Sequence, residues 1–387
     1  MVEKLVPNIR FRGFDDEWKD TSLSDIATFS KGKGISKNDI YDEGIECVRY
    51  GELYTKYGEI IYDIYSKTNL DKTELVLSDN NDILIPCSGE TAIDLATASC
   101  IQKDQVAIGG DITIIKTNQY APFITYYLNQ KKNEIARFAQ GVSIVHLYPK
   151  DFKSLKLKIP SINEQKKIIF LLEEVTKKET LLEKKYHHYQ DFKKYLIQQI
   201  FTQKLRFKDD EIWKTVKLGD ICNITMGQSP SSENYTENNS HTILIQGNAD
   251  IIDGKIVPRV YTSEITKISK PGDIIMTVRA PVGDLAINEF ESCIGRGVCS
   301  IEGNKFIYYL LQSLKDKHVW ERLSQGSTFE SINSNDIKNL KTSIPSKETQ
   351  ETIYLFLTEI DNKIDFFKIQ YLMFQKFKKG LLQQMFV

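Results

Sequence analysis

The sequence predicts a mixed α+β fold: two globular domains separated by two long antiparallel coiled-coil helices, with an internal pseudo-two-fold. Three observations carry it. The chain repeats itself, each repeat closes in a long heptad-patterned segment, and the remainder alternates short strand signals with Gly-containing loops.

Repetition comes first, because missing it would misjudge the whole fold. FKKYLIQQIF at Phe192–Phe201 returns as FKKGLLQQMF at Phe377–Phe386, an offset of 185. At that offset Pro160 and Gln165 of IPSINEQ match Pro345 and Gln350 of IPSKETQ, and Gly141 matches Gly326. Further back the offset drifts, as loop insertions would make it. Asp82 in DILIPCSGETAIDLA pairs with Asp273 in DIIMTVRAPVGDLAI. IRFRGFDDEWKDTSLSDI pairs with LRFKDDEIWKTVKLGDI, anchored on Trp18/Trp213 and followed by Gly32/Gly227. A chain of 387 residues exceeds one ordinary core of roughly 150 residues. The layout is therefore a first domain over 1–160, a helix over 161–204, a second domain over 205–345 and a second helix over 346–387.

Each helix has a start signal. Ser161 is a candidate N-cap, with Glu164 reaching back in a capping box; the second copy has Ser346 but Thr349 in place of the acid, a weaker cap. No Pro or Gly follows before Phe201, which allows about 39 helical residues, or about 58 Å of rod. Heptad positions in the first helix are Ile168, Leu172, Val175, Glu179, Leu182, Tyr186, Tyr189, Lys193, Leu196 and Ile200. The same register in the second gives Ile353, Leu357, Ile360, Ile364, Phe367, Tyr371, Phe374, Lys378, Leu381 and Met385. Alternating steps of four and three predict a coiled coil. Lys193 and Lys378 occupy matching core positions, where a polar group fixes register at a cost in stability. The helices are too long to bury in one domain, so they pair with each other. Antiparallel pairing sets the end of the first helix, where the second domain begins, beside the start of the second.

The globular parts read as short strands with a closing helix. Predicted strands are Glu46–Tyr50, Asp82–Pro86, Asp111–Lys116, Thr242–Gln246, Asp273–Val278 and Gly297–Ile301; predicted helices are Ala121–Gln140 and Phe306–Ser324. Loops pair as FSKGKGIS with TMGQSPSS, VRYGELYTKYG with LIQGNADIIDG, PCSGET with VRAPVG, and GVSIVH with GSTFES. The copies keep scaffold and helices but diverge inside these loops, as duplicated readers of two different targets would. Arg pairs bidentately with guanine, and Asn or Gln with adenine. Candidate nucleic-acid contacts in the first domain are Lys31, Lys33, Arg49, Tyr54, Lys56, Ser88, Thr91, Ser143 and His146. In the second they are Gln228, Ser229, Gln246, Asn248, Arg279, Ser327 and Thr328. Loop composition alone favours ordinary surface turns; it is the divergence of the copies that favours contacts.

Several classes are excluded or disfavoured. Net charge is −1, so nothing global announces a polyanion partner; local charge decides that. Six cysteines form no CxxC pair and five histidines no HExxH, which predicts reduced thiols and no metal site. His187–His188 falls on the coiled coil and is expected exposed. No P-loop, G-x-S-x-G or Asn/Asp-Pro-Pro-aromatic tetrapeptide appears, so no catalytic residue is assigned. MVEKLVPNIRFRGF lacks a signal-peptide core, and no segment approaches the ~18 apolar residues of a membrane span. A soluble cytoplasmic protein with no membrane partner is expected.

These motifs together resemble the specificity (S) subunit of Type I restriction–modification systems across essentially the whole chain. The resemblance rests on IRFRGFDDEW, the two Asp82 and Asp273 stretches, GVSIVHLYPKDFKSLKLKIPSINEQKKI, GSTFESINSNDIKNLKTSIPSKETQ and the repeated FKK-x-L-x-QQ. It implies two target-recognition domains, each reading half of a bipartite, asymmetric site in double-stranded DNA, and a helical spacer of fixed length. It implies a non-catalytic subunit docking two methyltransferase (M) subunits, with restriction (R) subunits joining them. N6-adenine methylation from S-adenosylmethionine, and cleavage driven by ATP with Mg2+, would then belong to those partners, with no cofactor on this chain. Two alternatives stay open: a coiled-coil scaffold without DNA contact, and the specificity subunit of a methylation-only system.

Overall fold

The computed structural model describes residues 6–141, 145–324 and 331–387. They divide into two units: residues 1–182 with 370–387, and 183–369. Each unit thus combines one globular part with a portion of both long helices.

In the first unit a five-stranded sheet runs Ala27–Lys31, Ile112–Thr117, Asp82–Pro86, Ser99–Ile101, Ile60–Ile61. A four-stranded sheet runs Ala107–Ile108, Ile45–Val48, Ser66–Thr68, Ile40–Tyr41. Lys19–Ser22 pairs with Lys156–Ile159 at the base. The second unit repeats the plan. Its larger sheet starts Asn223–Met226, Val298–Glu302, Ile274–Thr277, Leu285–Ile287, and its smaller sheet is built around Thr242–Ile245 and Ser292–Ile294. The strand that leads into a divergent loop pairs parallel in both small sheets, Ala107 with Cys47 and Leu244 with Cys293.

All six predicted strands exist with ends within a residue of prediction, except that the first stops at Val48 and Tyr50 instead opens the helix Tyr50–Thr55. The two closing helices are each broken. Ala121–Gln130 stops at Lys131 before Lys132–Ala136, and Lys305–Asp316 stops before Val319–Ser324. At the second break His318 takes a φ of +54°, which an α-helix cannot contain.

The long helices span Ile162–Phe201 and Lys347–Met385. In the first unit Ile168, Leu172, Val175 and Leu182 are buried with Leu381 and Met385, while Phe374 and Tyr371 are half-buried. In the second, Leu196 and Ile200 are buried with Ile353, Leu357 and Ile360; Tyr186, Tyr189 and Phe367 are half-buried. The second unit fixes the direction of pairing. Tyr189 meets Phe367 with ring centroids 5.2 Å apart, and four residues on Lys193 meets Asp361 at 2.6 Å. One number rises as the other falls, so the helices run antiparallel. The two heptad lysines are satisfied by acids of the opposite helix, Lys378 by Glu179 at 3.5 Å in the first unit and Lys193 by Asp361 in the second.

The repeated decapeptides close each unit on the same aromatic contact. Phe386 stacks on Phe123 at 5.2 Å, and Trp18 meets that ring edge-on at 5.9 Å. Phe201 meets Phe306 at 5.4 Å, and Trp213 lies 6.4 Å away. The helix starts depart from the capping-box expectation. The Ser161 hydroxyl accepts from the Glu164 amide, but the Glu164 carboxylate takes Arg10 Nε at 2.7 Å instead of reaching back. At the second helix Glu211 substitutes for the missing acid, accepting from the Ser346 amide at 2.7 Å. Buried Gln165 and Gln350 each donate to the preceding proline carbonyl at 2.9 Å, which accounts for their repetition.

Candidate nucleic-acid interface

In the first unit three segments approach backbone to backbone. A Cβ on Gly32 would sit 2.1 Å from the Gly109 carbonyl oxygen, and one on Gly109 would sit 3.0 Å from that of Val48. Glycine is required for this closeness. The Lys33 amide donates to Ile108 and the Gly109 amide to Val48. Lys31, Lys33 and Arg49 are gathered by these contacts. A fourth segment joins through Cys87, whose amide donates to Asp111 and whose carbonyl accepts from Leu147. There Ser88 pairs with His146 across a short ladder, and the Ser88 hydroxyl lies 3.1 Å from His146 Nδ1.

The second unit repeats the frame. A Cβ on Gly227 would sit 2.1 Å from the Gly295 oxygen. The Gln228 amide donates to Ile294, Gly295 to Ile245, Val278 to Gly297 and Ile332 to Val278. Matching bond to bond gives Lys33/Gln228, Arg49/Gln246, Ser88/Arg279 and His146/Ser331. The Gly32/Gly227 and Asp82/Asp273 pairings therefore hold. The loop pairings that begin at Phe29/Thr225, Val48/Leu244 and Pro86/Val278 are each displaced by one residue, because similarity vanishes where the loops diverge.

A buried carboxylate follows Ile45–Val48 in the first unit and Thr242–Ile245 in the second. Glu52 accepts from the Arg49 amide at 3.0 Å, from Ser66 and from Lys56 Nζ at 3.1 Å, with an Arg49 guanidinium nitrogen at 3.6 Å. Burial alone would raise its pKa; the hydrogen bonds from Ser66, the Arg49 amide and Lys56 outweigh it and hold Glu52 below the usual range. Asp250 accepts from the Gln246 amide at 2.7 Å, from Gly247 at 3.2 Å and from Arg259 Nε at 2.9 Å.

The remaining candidates fall as follows. Tyr54 is half-buried beside Gly89, near Ser88. Lys56 lies over the Tyr65 ring at 5.9 Å, and Tyr65 stacks on Tyr57. Thr91 caps the short helix Ala92–Leu95 through the Asp94 amide, and that helix packs on the strands of Ser88 and His146. Ser229 accepts from the Arg296 amide at 3.1 Å, and Asn248 is exposed just after Gln246. Arg279 is exposed and bridges to Ser331. Ser143, Ser327 and Thr328 lie outside the described residues.

Besides Glu52 and Asp250, four more side chains escaped the sequence reading. Tyr148 carries Lys31 at 5.1 Å and Lys150 at 5.7 Å over its ring and stacks on His146 at 5.9 Å. Arg259 and Arg296 are the others. The tripeptide Gly295-Arg296-Gly297 was a readable signal, a cation between two glycines after a strand. Among the described residues no cluster of His, Cys, Asp and Glu could hold a metal, and no helix is long and apolar enough to cross a membrane. His187 and His188 are exposed, and the six cysteines are buried free thiols.

Two like frames bearing unlike polar side chains define a duplicated recognition protein. A profile described as the Type I restriction modification DNA specificity domain matches residues 15–188 and 210–371, and the chain belongs to this family. It is a DNA-recognition subunit, of a family defined by specificity. The putative type I restriction enzyme MjaX specificity subunit of Methanocaldococcus jannaschii is 30% identical over 289 residues, covering 68% of this chain and 67% of that one. The MjaVIII specificity subunit of the same organism is 23% identical over 400 residues, covering 95% and 91%. The crystal structure of a Type I S subunit from M. genitalium matches with a TM-score of 0.68 at 17% identity, over 99% of both chains. A chain from a structural study of complex assembly and conformational transition of the type I R-M system matches with 0.60 at 19% identity, over 95% and 97%. These two likenesses concern the fold.

Proposed function

We propose that residues 1–160 and 205–345 are two target-recognition domains that read unlike halves of one bipartite DNA site. The observation that carries this is the shared frame with exchanged chemistry: Lys33, Arg49, Ser88 and His146 against Gln228, Gln246, Arg279 and Ser331. Identical domains would read identical half-sites; these would not. Of the candidates, Lys31, Lys33, Arg49, Tyr54, Ser88, His146, Gln228, Ser229, Gln246, Asn248 and Arg279 form the reading rims, with Tyr148 and Lys150 added. Cations there would contact phosphates and guanines, and amides adenines.

The chain acts in a complex. Methyltransferase subunits dock on it, two of them, and restriction subunits join; S-adenosylmethionine, ATP and Mg2+ act on those partners. A repeated apolar surface supports two copies of one partner. Exposed Phe170, Leu181 and Phe377 of the first unit correspond, by the offset of 185, to Leu355, Phe366 and Phe192 of the second. None belongs to the heptad core, and apolar side chains held outside a core mark an interaction surface.

Gel-shift binding of the chain with its methyltransferase partner to plasmid DNA tests the reading. Binding that weakens steeply with salt is expected from phosphate contacts. Assembly with the partner but no DNA binding at low salt would instead favour a scaffold.

A further inference from the structure

We infer that Arg296 is a specificity-determining residue of the second domain, reading one guanine of its half-site. This rests on the proposed DNA-reading role. The residue is built outward by its neighbours. Gly295 and Gly297 are buried on either side while Arg296 is exposed. A Cβ on Gly295 would meet Ser229 Oγ at 3.2 Å and Gln246 Cα at 3.4 Å; one on Gly297 would lie 2.1 Å from the Gln246 carbonyl oxygen. Both flanking positions are pressed against the reading strand, so the side chain between them has only the outer face. The Arg296 amide donates to Ser229 Oγ at 3.1 Å, which fixes its backbone against the Gln228–Ser229 loop.

The charge is uncommitted. Its guanidinium makes no hydrogen bond or ion pair among the described residues. The nearby buried acid, Asp250, is already taken by Arg259 and by the amides of Gln246 and Gly247. A planar five-donor cation standing free beside Gln228, Ser229 and Gln246 suits the O6/N7 edge of guanine, which it can take with two parallel bonds. The first domain supplies the control. Bond-for-bond matching sets Gly110 where the second has Arg296, since Gly109 matches Gly295 and Asp111 matches Gly297 in accepting from Cys87 and Val278. The same turn thus exists with a side chain and without one.

The test maps N6-methyladenine in cells expressing the methyltransferase partner with wild-type chain, R296G or R296K. R296G restores the residue that the matching turn of the first domain carries, so the turn is kept. Both variants are expected to relax one guanine of one half-site to any base, with discrimination at that position falling roughly 10- to 100-fold. The other half-site should stay as it was. R296K keeps the charge but loses the fork, which separates guanine reading from a phosphate contact. An unchanged motif with R296G would overturn the inference. So would uniformly weaker binding to all sequences that R296K restores, with a salt slope shallower by about 0.9 in R296G. If the wild-type chain directs no bipartite motif, the DNA-reading role itself fails, a result distinct from either.

Discussion

Glu52 and Asp250 show what one residue does in this protein. Each is nearly fully buried at the end of a reading strand, and each holds the amide of the side chain proposed to read DNA. Replacing Glu52 by Gln turns one of its two acceptor oxygens into an NH2 donor, so either the Arg49 amide or the Ser66 and Lys56 side loses its acceptor, and leaving such a group unpaired costs about 1–3 kcal/mol. We expect E52Q to weaken recognition of the first half-site and leave the second alone. The pH dependence has a definite sign. Glu52 titrates below its ordinary value of 4.5, so its contribution is complete above that value and is lost as pH falls through the lower, folded-state pKa. The stability difference between wild type and E52Q should therefore be constant near neutrality and shrink below about pH 4.5, as acid titrations of thermal unfolding will show. The sequence pointed to Arg49 and Gln246 as candidates but not to the acids that hold their amides. Glu52 and Asp250 lie at different distances from the strand, and no fixed spacing links them.

At the scale of elements, the long helices were the most legible part. Their heptad is written in every core position, and the structure buries or half-buries each of them. Leu357 is fully buried against the first helix and the second domain, so Leu357→Ala should destabilise by about 2–5 kcal/mol, read as a lower Tm. Leu181 and Phe366 lie 47% and 54% exposed, so replacing both by Ser should change stability little. The same pair should cost partner affinity, about 2 kcal/mol or more at each docking site, in a pull-down with methyltransferase subunit. Unchanged binding would remove the apolar surface from the account. Helix ends were less legible. Local residues predict a full capping box, but only its Ser161 half forms, because Glu164 is captured by Arg10, which is 154 positions away. Loop pairing failed by one residue at three places for a related reason. The register there is fixed by backbone bonds to distant strands, while the side chains that would reveal it have diverged.

For the whole molecule, duplication was legible because scaffold residues such as Trp18/Trp213 and Gln165/Gln350 are used twice for the same contact. The side chains proposed to read DNA were only partly legible, because Arg296 and Tyr148 are set beside the other candidates by neighbours brought together by folding. The helices are proposed to set the distance between half-sites. Removing one heptad from each keeps the a/d register and shortens the rod by about 10 Å, close to three base pairs of duplex. Methylation by that variant should follow the same two half-sites with a spacer about three base pairs shorter; an unchanged spacer would refute the ruler. The most direct test of the central claim is a genome-wide map of N6-methyladenine directed by the wild-type chain and its methyltransferase partner. The account predicts a single motif of two unlike half-sites separated by a fixed run of unspecified base pairs. Two identical half-sites, or one uninterrupted motif, would contradict it.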